Sequence, residues 1–145
     1  MSTATCSTSR LELAAIPNAV RWARRHGVAV LEDWQLTTTQ VETAQLLISE
    51  LVTNAVKYAL ASDAASSYVG LVDVRRVVLT LRRGEDRLLI EVFDADDHPP
   101  VLTQAEPDAE GGRGLTLVDV LSKQWGYVLP STGGKVVWCE LALTA

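Results

Sequence analysis

The stretch ELVTNAVKY, residues 50–58, places two polar side chains one helical turn apart within an apolar pattern. Glu50 and Asn54 are four residues apart, so they lie on the same face of a helix. That face lies opposite an apolar stripe at helical spacing. The stripe consists of Val41, Ala44, Ile48, Val52, Ala55 and Ala59. The pattern predicts a long helix over about residues 40–60, with Thr39 and Glu42 as a capping box at its start.

The polar side chains on this helix have the chemistry of a magnesium and phosphate site. Asn54 offers an amide oxygen, a hard ligand that Mg²⁺ accepts beside water and phosphate oxygens. Glu50 can orient or deprotonate an attacking hydroxyl or water. Lys57 can reach phosphate as a cation, although an exposed lysine is the commoner case. Since such spacings are frequent in helices, a solvated helix face stays open as the alternative.

The segments around this helix predict an α+β protein. Short alternating runs with turn residues between them are typical of strands, and longer runs at a period near 3.6 are typical of helices. The predicted elements are a strand at 10–14, a helix from Pro17 to Gly27, a hairpin of strands 74–83 and 87–94, a helix at 114–124, and strands at 125–129 and 135–143. This order favours a two-layer sandwich, with helices on one face of a mixed β-sheet.

Two later segments could also face a ligand. Asp94 ends a mostly apolar strand, so its carboxylate could accept a hydrogen bond from an exocyclic amine such as that of adenine. An ordinary turn aspartate is the alternative. The loop EGGRGL, residues 110–115, enters a helix, and free amides at a helix N-terminus suit phosphate. It matches neither the GxGxxG fingerprint nor a Walker A sequence, so a plain glycine loop stays open.

The order of these segments resembles the GHKL superfamily, which includes histidine-kinase catalytic domains and anti-sigma-factor serine kinases. The ordered set spans about residues 46–120. The resemblance implies a histidine-kinase-like ATPase fold with ATP and Mg²⁺ as cofactors. It makes Glu50 the catalytic carboxylate and Asn54 the metal ligand. The implied ATP-binding residues are Asn54, Lys57, Asp94, Asp96, Gly112, Arg113, Gly114 and Leu115, with residues 96–111 as an ATP lid.

Within that superfamily the chain resembles short, stand-alone actinobacterial anti-sigma-factor kinases. The N-terminal strand, the Pro17 helix, the pair Pro99-Pro100 and the closing GGKVVW carry this likeness. It implies a sigma factor, a STAS-type anti-anti-sigma protein, or both as partners. It also implies serine/threonine kinase activity on the anti-anti-sigma protein, and a homodimer.

Some positions depart from the family pattern. The first glycine box, D-x-G-x-G in the family, reads DADDH at residues 94–98, and Lys135 stands where a threonine often contacts adenine. Two functions therefore stay open. The first is an ATP-binding anti-sigma factor whose kinase activity depends on Glu50, and the alternative is a non-catalytic nucleotide-binding module that sequesters a sigma factor or another transcription regulator. A split histidine kinase is disfavoured, because neither His26 nor His98 lies in a helical hairpin that could carry the phosphoacceptor.

Composition limits the setting of the protein. The 145 residues suit one domain, expected over 10–145 after a disordered segment at 1–9. A net charge of −5 argues against nucleic acid as a partner. The sequence shows no membrane span and no secretory signal. Cys6 and Cys139 are expected to be reduced thiols, which together with the missing signal predicts a cytoplasmic protein.

Overall fold

The computed structural model describes residues 6–61, 75–96, 99–100 and 113–143. Five strands and three helices occupy these ranges. In chain order they are β1 (Ser7–Ala14), α1 (Asn18–Asp33), α2 (Thr38–Ala61), β2 (Arg76–Arg83), β3 (Arg87–Asp94), α3 (Arg113–Leu121), β4 (Gln124–Val128) and β5 (Lys135–Ala142). The hairpin of β2 and β3 around residues 84–86 is confirmed. β1 begins at Ser7, three residues before the predicted start.

The five strands form one sheet in the order β1-β2-β3-β5-β4. The prediction of an α+β fold is confirmed. All four strand pairings within the described residues are antiparallel, where the sequence predicted a mixed sheet. The reason lies in the connections: two hairpins join β2 to β3 and β4 to β5, and β5 returns beside β3 in the opposite direction.

The core lies between α2 and one face of this sheet. Alternate residues of β2 and β3 point toward the helix, and they are almost fully buried. The apolar stripe predicted along α2 is buried as well, which confirms that assignment. Burying one face of a sheet against a helical layer is the main favourable contribution to folding here. The same packing determines which polar residues of α2 lie beside the ends of β3 and β5.

α1 continues six residues past Gly27, where the sequence predicted its end. The glycine is buried in the contact between α1 and α2. A Cβ atom at this position would lie 2.6 Å from Cδ1 of Ile48. The missing side chain therefore lets the two helices approach closely, and tertiary packing outweighs the weak helix propensity of glycine.

The capping box of α2 lies two residues earlier than predicted. The backbone N–H of Gln40 donates to Oγ1 of Thr37 at 3.2 Å, and the backbone N–H of Thr37 donates to Oε1 of Gln40 at 2.9 Å. This reciprocal pair replaces the predicted pair of Thr39 and Glu42. Three consecutive threonines offer equivalent caps locally, so tertiary contacts select among them. One such contact is a hydrogen bond from Nε2 of Gln40 to the carbonyl of Leu143.

Among the described residues, no helix is both long and apolar enough to cross a bilayer. Cys6 and Cys139 are both free thiols, the first exposed and the second buried. Burial raises the pKa of Cys139 to about 12. The chain therefore carries one accessible thiol, and the other behaves as a core residue.

Candidate functional site

A small cavity lies where the polar face of α2 meets the adjoining ends of β3 and β5. α2 contributes Asn54 and Tyr58 to its wall, while β3 and β5 contribute Asp94 and Lys135. Asn54 and Tyr58 are one helical turn apart, so both point to the same side of the helix. The structure thus brings together three of the residues that the sequence assigned to one pocket: Asn54 and Asp94 line the cavity, and Asp96 contacts Asp94 beside it.

The other predicted site residues lie at different distances from this cavity. Glu50 is half-buried one turn before Asn54, and burial raises the pKa of its carboxyl above the ordinary value. Lys57 is exposed on the same helix. The predicted lid spans residues 96–111, and its residues 97–98 and 101–111 lie outside the described residues. Gly112 lies outside them as well. Arg113, Gly114 and Leu115 form the first turn of α3, which begins at the predicted glycine loop.

The floor of the cavity is a buried cluster of three charged residues. Nζ of Lys135 lies 3.0 Å from Oδ1 of Asp94 and 3.2 Å from Oδ2 of Asp96. It also donates to the backbone carbonyl of Asp96 at 3.4 Å, and it lies 4.2 Å from the ring centroid of Tyr58. The Asp96 backbone N–H donates to the same Oδ1 of Asp94 at 2.9 Å. Each of the three ammonium protons therefore has an oxygen acceptor.

Strand register and a glycine turn bring this cluster together. Asp94 is the last residue of β3 and pairs directly with Lys135, the first residue of β5. Just before β5, Gly133 and Gly134 have φ values of 100° and 78°, which side chains rarely permit. A Cβ at Gly134 would lie 2.6 Å from the carbonyl oxygen of Asp94. Only a glycine lets the start of β5 pack this tightly against the end of β3.

The electrostatics of the cluster follow from its burial. Asp94 and Lys135 are each 1% exposed, and Asp96 is 6% exposed. Burial raises the pKa of Asp94 to about 6, although the ammonium of Lys135 opposes that rise. A buried carboxylate or ammonium without a partner is unfavourable by several kcal/mol, roughly. The three side chains are therefore mutually dependent, and loss of the cation would remove the positive charge that both carboxylates contact.

The cavity above this floor is too small for a nucleotide base while Lys135 is in place. About 10 Å³ is open to the centre of a water-sized sphere, which is room for about one water molecule. With Lys135 in this position, the described residues leave no room for adenine at this end of the cavity. Asn54 could still offer an oxygen to Mg²⁺. Among the described residues no three His, Cys, Asp or Glu side chains gather around a metal position.

Sequence reasoning missed the central role of two residues. It noted Lys135 only as a departure near the adenine position, and it gave Tyr58 no role. The spacing of Tyr58, four residues after Asn54, was the available signal. For Lys135 the signal was a lysine at the start of an apolar strand, where a buried cation requires a nearby carboxylate.

Comparison with known families supports the predicted histidine-kinase-like ATPase fold. A family model described as the histidine kinase-like ATPase domain matches residues 13–140. A comparison with curated proteins gives no match. The family match covers the described elements except the first six residues of β1 and the last two of β5, and it includes every residue that lines the cavity.

Proposed function

Because the chain belongs to the histidine kinase-like ATPase domain family, we propose that it is a regulatory protein that acts by sequestering a protein partner. Domains of this family bind ATP, typically with Mg²⁺. In this chain the adenine end of the pocket is filled by its own lysine. The proposal therefore gives protein binding, and not nucleotide turnover, as the main activity.

One observation carries the proposal: the ammonium of Lys135 is hydrogen-bonded to Asp94 inside a cavity with room for about one water. For a base to bind there, a buried cation would have to leave two carboxylates, and those carboxylates would have to accept neutral donors in its place. Breaking a buried ion pair by removing one partner is strongly unfavourable.

The partner class follows from the resemblance to stand-alone anti-sigma-factor kinases. On that basis the proposed partners are a sigma factor or a STAS-type anti-anti-sigma protein, in the cytoplasm, bound by a homodimer of this chain. The acidic composition, with a net charge of −5, fits a protein partner better than a nucleic acid.

The direct test is pairwise binding with purified candidates. Sigma factors and STAS-type proteins encoded in the same genome would be titrated against the chain by biolayer interferometry, with and without Mg-ATP. We expect one or more complexes whose affinity is unchanged by the nucleotide. A complex that forms only with Mg-ATP would contradict nucleotide-independent sequestration. Light scattering on the same samples would check the homodimer.

A second candidate function, protein serine/threonine kinase activity, is supported by Glu50. Its carboxyl is half-buried one turn from Asn54, and burial raises its pKa above the ordinary value, which makes the carboxylate a better proton acceptor. Phosphoryl transfer depends on positioning and charge stabilisation, and such a carboxyl could orient the attacking hydroxyl. The closed adenine end argues against this activity in the chain as it stands.

Radiolabel transfer from ATP to the bound partner separates the two functions. We expect no transfer by the wild type. If transfer occurs, Glu50→Gln should abolish it, while the matched control Glu42→Gln, at an exposed position near the start of α2, should not. That result would establish the kinase and contradict the sequestering module.

A further inference from the structure

Lys135 is an unusual lysine because it is almost completely buried. Its ammonium is fully hydrogen-bonded. Only 1% of its side chain is exposed, and its ammonium has three oxygen acceptors and the face of the Tyr58 ring. Lysine is almost never fully buried without such partners. This arrangement is too complete to be a surface side chain folded inward by chance.

The acceptor that holds this ammonium is the one that the family resemblance assigns to the amine of adenine. Oδ1 of Asp94 takes hydrogen bonds from Nζ of Lys135 and from the backbone N–H of Asp96. An ammonium and an exocyclic amine are both N–H donors, but the ammonium adds a full charge. Hydrogen bonds to ionised groups are about twice as strong as neutral ones.

We propose that Lys135 and Asp96 together form a built-in occupant of the adenine end of the pocket. The lysine takes the hydrogen bond that a base would donate to Asp94, and its side chain fills the space. This inference rests on the proposed function for the identity of the pocket. It adds to that function the two residues that make partner binding independent of nucleotide.

The lysine needs Asp96 as a second carboxylate in order to occupy this position. A single carboxylate leaves part of the ammonium without an acceptor in a buried position, which is unfavourable. Asp96 adds a second carboxylate oxygen at 3.2 Å and positions its own backbone against Asp94. Asp96 occupies a glycine position of the family pattern, and Lys135 a threonine position. The two departures are therefore one coupled change in ligand specificity.

Lysine labelling of the wild type tests the occupant without any substitution. The chain has three lysines, Lys57, Lys123 and Lys135. Reductive methylation followed by peptide mass spectrometry should modify Lys123, which is 66% exposed, and spare Lys135. The same pattern is expected with Mg-ATP present. If Mg-ATP made Lys135 reactive, a base would be displacing it, and the proposal would be overturned.

Calorimetry with adenosine tests the two-residue specificity. Adenosine has no phosphates, so it probes the base end alone. We expect the double variant Asp96→Gly/Lys135→Thr to bind adenosine about tenfold more tightly than the wild type, which is the upper part of the range for one net hydrogen bond gained. Adding Asp94→Asn should remove the gain. The single variant Lys123→Thr, the same change at an exposed lysine, should bind like the wild type.

Equal affinity of the wild type and the double variant for adenosine, whether both bind or neither binds, would overturn the proposal, provided that circular dichroism shows the variant folded. If the variant does not fold, the labelling experiment decides. The outcomes of the labelling and adenosine experiments do not depend on whether the chain binds a sigma factor or a STAS-type protein. A chain that binds no sigma factor could still show Lys135 protected, and a sequestering chain could still expose it.

Discussion

At the residue scale, Lys135 is the buried cation of the candidate site. The side chain of Lys135 joins two carboxylates from the end of β3 and the residue two positions beyond it. A buried ion pair contributes little net stability compared with an apolar core, but removing one partner is costly because the other charge is left buried. The net stability that the cluster gives is therefore small, while the loss on removing one of its charges is large.

Replacing Lys135 with methionine should expose this dependence. The change keeps the volume but removes the cation, so we expect the free energy of unfolding to fall by about 3–5 kcal/mol at neutral pH. The loss should shrink as pH falls, and this should begin above pH 6, because the ammonium that lowers the pKa of Asp94 is gone and its buried carboxyl takes up a proton more readily. Urea denaturation measures both effects. Lys123→Met removes an exposed lysine whose ion pair with Glu140 is 3.8 Å long, so it should change stability by less than about 1 kcal/mol. An equally small loss at Lys135 would refute the buried pair.

A second residue-scale effect concerns His26, which shares a 2.8 Å hydrogen bond with Ser9 between α1 and β1. Burial lowers the pKa of His26 below its ordinary value of 6.5. The unfolded chain therefore binds the proton more readily, and the free energy of unfolding should decrease as pH falls below 6.5 and level off below the folded pKa. His26→Gln should flatten this part of the pH profile. A histidine variant with the wild-type slope would show that another group is responsible.

At the element scale, α2 positions the site, and its start and its packing surface both matter. The hydrogen bonds of Thr37 and Gln40 set where the helix begins, and contact with α1 across Gly27 sets its position over the sheet. Both features keep Asn54 and Tyr58 above the ends of β3 and β5.

Two alanine substitutions distinguish the observed cap from the predicted one. Thr37→Ala removes the side-chain acceptor of the capping box and should lower the free energy of unfolding by about 1 kcal/mol. Thr39→Ala lies inside the first turn and should be neutral or slightly stabilising, because alanine has the higher helix propensity. Thermal denaturation of the two variants gives the comparison. A larger loss at Thr39 would restore the cap expected from the sequence.

At the scale of the whole molecule, the sequence predicted the elements better than it predicted their contacts. The apolar stripe of α2 and the turn residues at 84–86 were strong local signals, so the helix and the hairpin were found within a few residues. The end of α1 was misplaced because Gly27 is explained only by its contact with Ile48.

For the candidate site, too, local sequence patterns predicted individual residues but not the long-range contacts between them. Asn54 and Asp94 were assigned to one pocket by the order of motifs, and the structure places both on the wall of one cavity. The cluster itself depends on the register that pairs Asp94 with Lys135, 41 residues later. No local pattern carries that register, so Asp96 and Lys135 seemed to be two separate departures when they are one arrangement.

The central claim is that this member of an ATP-binding family has its adenine end filled by its own lysine. The most direct measurement is the melting temperature of the wild type as Mg-ATP is increased. A ligand that binds the native state stabilises it by about 2.7 kcal/mol at a hundred times its Kd. We predict no concentration-dependent rise for the wild type. A rise that grows with Mg-ATP and disappears in Asn54→Ala would contradict the account.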